Sequence, residues 1–190
     1  MTQTPDTTKA LPLIGRGMFS TVYRKNAKTV LIKSVDPVKE CMAMGWFPSS
    51  RMFPKTTRVA ILDDDQGTAL YEQRYYPKAM SLKAALKPAE WEFYRELRDN
   101  IWRRCDVLGN DQAKILASLR SLIKALPSKY ARKKAALLGA IDALTNYGQD
   151  IRFEISPRNV AAHNGNLILL DCFFMAEKAK EVRTQQRKRR

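Results

Sequence analysis

Six positions combine residue types and spacings suited to chemistry on a phosphate: Gly15, Gly17, Lys33, Glu154, Asn159 and Asp171. The two glycines lie in Leu13-Ile14-Gly15-Arg16-Gly17-Met18-Phe19-Ser20-Thr21-Val22-Tyr23, a stretch rich in β-formers. Glycine keeps side chains out of the tightest points of such a turn, so backbone N–H groups can approach a ligand closely. Lys33 ends the apolar run Val30-Leu31-Ile32, and a lysine there, taken alone, is an ordinary snorkelling residue. Further on, Glu154 stands four intervening residues before Asn159, and Asn164-Gly165 is a two-residue hairpin signal that returns the chain toward Asp171. That return would bring the Asn159 amide oxygen and the Asp171 carboxylate around one metal ion.

The elements that must hold these residues can be read from periodicity. Residues 11–23 and 29–35 read as strands with a turn at 25–28, and 37–46 as a short helix with Asp36 as N-cap and Pro37 at its first position. Residues 57–62 and 68–73 form a hairpin around Asp63-Asp64-Asp65-Gln66-Gly67. The three aspartates are consecutive, not alternating as a calcium loop requires, so a solvated turn is expected. From 81 to 147 the period becomes helical. Trp91, Tyr94, Leu97, Ile101, Cys105 and Leu108 form one stripe, Ile115, Leu116, Leu119, Leu122, Ile123 and Leu126 a second, and Leu137, Leu138, Ile141 and Leu144 a third. These stripes read as core. Strand character returns at 151–155, 159–163 and 166–171.

The chain has 190 residues, 45% hydrophobic and 28% charged, too apolar to be wholly disordered and long enough for one domain or a small two-lobed one. Its longest late apolar run, Leu167 to Leu170, is far short of the roughly 18–20 residues of a membrane span. The polar opening 1–6 lacks a secretory pattern, so a soluble, cytoplasmic protein without membrane contact is expected. Cys41, Cys105 and Cys172 are odd in number and widely spaced, which argues against a disulfide framework or a zinc site. The single histidine, His163, reads as a solvated turn residue.

Taken in order, these patches resemble the protein kinase superfamily in a reduced form. The first is similar to the G-x-G-x-x-G-x-V loop, with Ser20 at the third glycine. Val30 to Lys33 is similar to the V-A-I-K strand, and Phe153 to Asn159 followed by Asp171 to the catalytic loop and D-F-G segment. Within the superfamily, G-x-G-x-F-S-x-x-Y at Gly15 to Tyr23 and F-[DE]-x-x-x-x-N at Phe153 to Asn159 resemble the early serine/threonine kinases of T7-like bacteriophages.

The resemblance implies ATP and Mg²⁺ as cofactors and phosphorylation of protein Ser/Thr. It also implies host proteins of transcription and RNA processing as substrates, and the bacterial host cytoplasm as location. Gly15, Gly17, Ser20 and Val22 would cover the nucleotide, and Lys33 would pair with its phosphates, itself partnered by Glu40. The backbone at Arg74, Tyr75 and Tyr76 would meet adenine. Glu154 would orient the acceptor hydroxyl, and Asn159 with Asp171 would hold Mg²⁺. The sequence departs from the pattern in four ways. Glu154 replaces the catalytic Asp, Ser156 stands where many kinases carry a lysine, Phe173 replaces the D-F-G glycine, and no A-P-E segment follows Asp171. A catalytically weak kinase-like module that inhibits a host partner is the alternative.

Lys+Arg number 34 against 19 Asp+Glu, a net charge of +15. Two concentrations stand out: residues 114–134, with seven cations and no acid, and 176–190, with seven cations and two glutamates. Both could contact nucleic acid non-specifically through charge. The expected fold is thus α+β and minimal kinase-like. Residues 1–10 would be a flexible N-terminus, 11–76 a β-rich nucleotide-binding lobe, 77–176 a helical lobe with the catalytic loop, and 177–190 a basic tail.

Overall fold

A computed structural model describes residue 8 and residues 10–63, 67–109 and 111–188. Most of the expected N-terminal segment, Asp64 to Gln66 of the aspartate turn, and Arg189 and Arg190 lie outside the described residues. The architecture is mixed α+β in two compact units. The first comprises Met1–Trp46, Lys55–Tyr75 and Glu177–Arg190, the second Phe47–Pro54 and Tyr76–Ala176.

The first unit is built on an antiparallel sheet of β1 (Leu13–Arg16), β2 (Ser20–Arg24), β3 (Thr29–Ser34), β4 (Thr56–Asp63) and β5 (Thr68–Arg74), in the order β1-β2-β3-β5-β4. The strand-and-turn stretch 11–23 resolves into two strands, with Gly17, Met18 and Phe19 turning the chain between them. Helix α1 (Pro37–Ala43) starts as expected: Asp36 accepts the Val38 N–H at 3.0 Å, and Pro37 occupies the first turn. It ends earlier than Trp46. Gly45 adopts φ +74°, and the N–H groups of Gly45 and Trp46 close back onto the carbonyls of Met42 and Cys41. That is a glycine-terminated cap, which a side chain at 45 would strain. Val30, Ile32, Ala69 and Tyr71 form the core of one sheet face.

The second unit carries α2 (Leu82–Ala85), α3 (Pro88–Arg95), a π-helical segment Glu96–Trp102, α4 (Arg103–Asp106), α5 (Gln112–Lys124) and α6 (Ala131–Thr145). The stripe from Trp91 to Leu108 is therefore not one uniform α-helix. Leu97, Ile101 and Cys105 recur in steps of four, which drift off one face at 3.6 residues per turn. The wider π turn keeps these three buried residues in register. Phe93, outside that stripe, is fully buried. Asp111 caps α5 by accepting the Lys114 N–H at 3.0 Å.

Two small antiparallel pairs complete this unit. β6 (Ile151–Phe153) pairs with β9 (Phe173–Met175), and β7 (Val160–His163) with β8 (Asn166–Leu169). Asn164 (φ 51°) and Gly165 (φ 75°) make the β7–β8 turn, as their types predict. Strand β9 was not anticipated. Nor was the docking of segment 47–54, where Phe47 meets Phe53 edge-to-face at 5.0 Å and the Met52 carbonyl accepts the Leu169 N–H at 2.8 Å. The Pro48 ring lies where a Cβ on Gly139 would stand, at 2.7 Å, which explains a glycine inside α6.

Residues expected as a basic tail form helix α7 (Ala176–Lys188). Ala179 and Val182 are buried, and from Glu177 onward the helix groups with the first unit. Only two small apolar anchors hold it, too few to register as a stripe in the sequence.

Candidate functional site

The glycine-rich turn is fastened at both ends. The Gly17 N–H donates to the Ser20 carbonyl at 2.8 Å, and the Val35 N–H donates to the Phe19 carbonyl at 3.1 Å. Beneath it the hydroxyls of Ser20 and Ser34 bond each other at 2.7 Å. Ser34, 1% exposed, also reaches the Phe19 carbonyl and accepts the Asp36 N–H. Ser20 thus joins the turn to the β3–α1 junction. The fold itself does not demand glycine here. A Cβ on Gly15 would meet Val22 at 3.8 Å and one on Gly17 the Ser20 carbonyl at 3.8 Å, both ordinary contacts.

The turn opens onto a cleft of about 590 Å³ within the first unit. Arg16, Ser20, Thr21, Lys33 and Ser34 line it from the glycine-rich turn and β3, and Asp63 and Thr68 from the β4–β5 hairpin. Val182, Gln185 and Gln186 of α7 complete the lining. Lys33 pairs in register with Thr21 on β2 and Leu70 on β5.

Several expected roles change. Ile32 pairs with Val22 and Tyr71, one residue out of step with Lys33, and neighbouring residues of a strand face opposite sides. Val22 therefore packs against the core of Val30, Ile32, Ala69 and Tyr71, on the face away from Lys33. Glu40 faces that core side too. Its carboxylate accepts from the Tyr71 hydroxyl at 3.0 Å and pairs with Arg58. A Glu40–Tyr71–Arg58 cluster on the face opposite Lys33 thus stands in place of the anticipated Lys33–Glu40 pair. Burial, and then the Glu40 charge, push the Tyr71 hydroxyl far above its usual pKa. At the end of β5, the Tyr75 N–H already donates to the Lys28 carbonyl at 2.8 Å, and the Arg24 guanidinium lies 3.4 Å over the Tyr75 ring. Arg74 is exposed and ends the strand. Tyr76 belongs to the second unit, its ring edge-on to His163 at 5.6 Å. His163 is half-buried at the end of β7, not a free turn histidine.

In the second unit, backbone bonds gather the three remaining residues. The Asn159 carbonyl accepts N–H groups from Leu170 at 2.8 Å and Asp171 at 3.2 Å, and the Cys172 thiol at 3.3 Å. The Glu154 N–H donates to the Cys172 carbonyl at 2.9 Å, and the Asn159 N–H to the Ser156 carbonyl at 3.0 Å. Glu154, Asn159 and Asp171 therefore lie along one loop and the strand end beside it. Phe173 is a core residue, its ring 5.1 Å from Phe153 and 6.4 Å from Phe47. Ser156 Oγ is buried without a hydrogen-bond partner among the described residues. Glu154 also borders a cavity of about 100 Å³ beside Trp102, Cys105, Asp106 and Arg152. Among the described residues no three His, Cys, Asp or Glu side chains cluster as a metal site.

The basic run 114–134 is not acid-free in space. Lys114 pairs with Asp111, Arg120 with Asp142, Lys129 with Glu92 and Lys133 with Glu90. Lys134 donates to the carbonyls of Lys124 and Leu126. On α7, Lys178 pairs with Glu181 and Lys180 with Glu177. None of the three cysteines forms a disulfide, and all three are buried. Among the described residues no helix is long and apolar enough to cross a membrane. Compared with protein-family models, curated proteins and solved structures, the chain matches none.

Proposed function

We propose that this chain transfers the γ-phosphoryl group of ATP to a protein serine or threonine hydroxyl. The observation that carries the reading is the anchoring of the glycine-rich turn to the strand bearing Lys33, so that Gly17, Arg16 and Lys33 border one cleft. Gly17, which the fold does not require, fits a turn that a phosphate must approach, whereas Gly15 lies in β1 paired with Val22 and does not line the cleft. In this reading Arg16 and Lys33 balance the phosphate charge, and backbone N–H groups of the turn other than that of Gly17, which the Ser20 carbonyl takes, contact the phosphate oxygens. Glu154 accepts the proton of the acceptor hydroxyl.

Asn159 and Asp171, whose backbones the Asn159 carbonyl ties together, would supply an amide oxygen and a carboxylate, hard donors of the kind Mg²⁺ takes. When bound, the ion would neutralise charge on the nucleotide phosphates. Adenine would have to be read elsewhere than at the Tyr75 N–H, which Lys28 occupies.

The test is incubation with labelled ATP and Mg²⁺, beside thermal unfolding with and without nucleotide. The parent protein should transfer label to a protein acceptor and melt higher with Mg²⁺-ATP, since a ligand that prefers the native state stabilises it. Lys33→Ala and Asp171→Asn should each lose transfer. Absence of any nucleotide-dependent shift at millimolar ATP would sink the reading.

A further inference from the structure

The C-terminal helix brings polar side chains to the cleft that no feature of the glycine-rich or catalytic segments implies. Val182, Gln185 and Gln186 stand at i, i+3 and i+4, one face of α7, and all three line the cleft with Arg16 and Lys33. Buried Ala179 and Val182 hold the helix in place. The other side of α7 carries the exposed cations Lys180, Arg183 and Arg187. Gln185 and Gln186, themselves exposed, thus stand at the mouth of the cleft, with Lys180, Arg183 and Arg187 on the far side of the helix and the half-buried Lys178 paired with Glu181. Gln185 is already held by Glu181, its Nε2 donating to Oε1 at 3.1 Å. The Gln186 side chain makes no hydrogen bond to the described residues, and an amide donor in a cleft lined by the cations Arg16 and Lys33 against one acid, Asp63, suits a polyanion, most simply the triphosphate of a nucleotide.

We infer that α7 forms a wall of the phosphate cleft and that Gln186 contacts the bound triphosphate. This rests on the nucleotide reading above. A charge placed at 186 then acts on the ligand with a sign that a purely structural role cannot produce. A unit charge about 5 Å from a phosphate charge in water changes affinity about fourfold, and more where solvent is excluded.

The experiment is calorimetric titration of the full chain with Mg²⁺-ATP at low and high salt, in the parent, Gln186→Glu and Gln186→Lys. The expected result is weaker binding in Gln186→Glu and tighter binding in Gln186→Lys, by about fourfold or more each way, converging as salt rises. Equal affinity in all three, or loss in both variants alike, overturns the inference while leaving the nucleotide reading intact. A parent protein that does not bind Mg²⁺-ATP overturns the nucleotide reading, and this inference with it.

Discussion

The hydroxyls of Ser20 and Ser34, fourteen residues apart, meet at 2.7 Å beneath the glycine-rich turn. Through Ser34 the turn is tied to the Phe19 carbonyl and the Asp36 N–H, and so to the cap of α1. Ser34→Ala removes a buried group that satisfies several partners, which costs about 1–3 kcal/mol. Urea unfolding should show that loss, and hydrogen exchange at Gly17 and Val35 should speed up. Unchanged exchange there would mean the turn is held by its backbone bonds alone.

Glu154 and Asp171 should separate chemistry from binding. Glu154→Gln keeps size and hydrogen-bonding capacity but cannot take a proton, so phosphoryl transfer should fall by about 10²-fold or more while ATP affinity changes little. Asp171→Asn should weaken the Mg²⁺-dependent part of ATP binding. Equal kinetics in Glu154→Gln and parent would place the acceptor's base elsewhere.

Gly139 offers a packing test. An exposed helix-interior Gly→Ala change usually gains about 1 kcal/mol. Here the added methyl would stand 2.7 Å from the Pro48 ring, so Gly139→Ala should destabilise. Combined with Pro48→Ala the penalty should largely vanish, and a double-mutant cycle by urea unfolding measures the coupling.

Alkaline pH should unfold the protein through its buried thiols. Burial pushes Cys41 up from 9.0 to about 11, with the Glu40 charge adding to it, and burial pushes Cys105 up to about 11 as well. The native state keeps these protons while the unfolded chain releases them. Stability is therefore fully present below about pH 9 and is lost as pH rises through about 11. The thermal midpoint should fall across that window, and less steeply in a Cys41→Ala/Cys105→Ala variant. A parent midpoint flat to the top of the window would contradict the burial of both thiols.

Val182 should matter more than the charges around it. Val182→Asp puts a carboxylate at a buried position and should cost about 2 kcal/mol or more, whereas Arg187→Ala on the exposed side should stay within about 0.5 kcal/mol. Equal stability in Val182→Asp would mean that α7 is not docked.

Local signals were legible in the sequence wherever a few neighbouring residues decide the outcome. Asp36-Pro37 sets the start of α1, Asn164-Gly165 sets the β7–β8 turn, and the stripes of α5 and α6 set the buried faces of those helices, because caps, positive φ and periodicity act within a turn or two. The α+β order of elements followed from them. What long-range packing decides was not legible. The sheet register put Lys33 and Glu40 on opposite faces, although seven residues of sequence left either side open. Acids distant in sequence, Glu90, Glu92 and Asp142, pair with three of the seven cations in a run that reads as purely basic. Two small residues, Ala179 and Val182, sufficed to make a docked helix of an apparent tail. In each case the deciding contact spans tens of residues, and only the folded chain brings its two sides together.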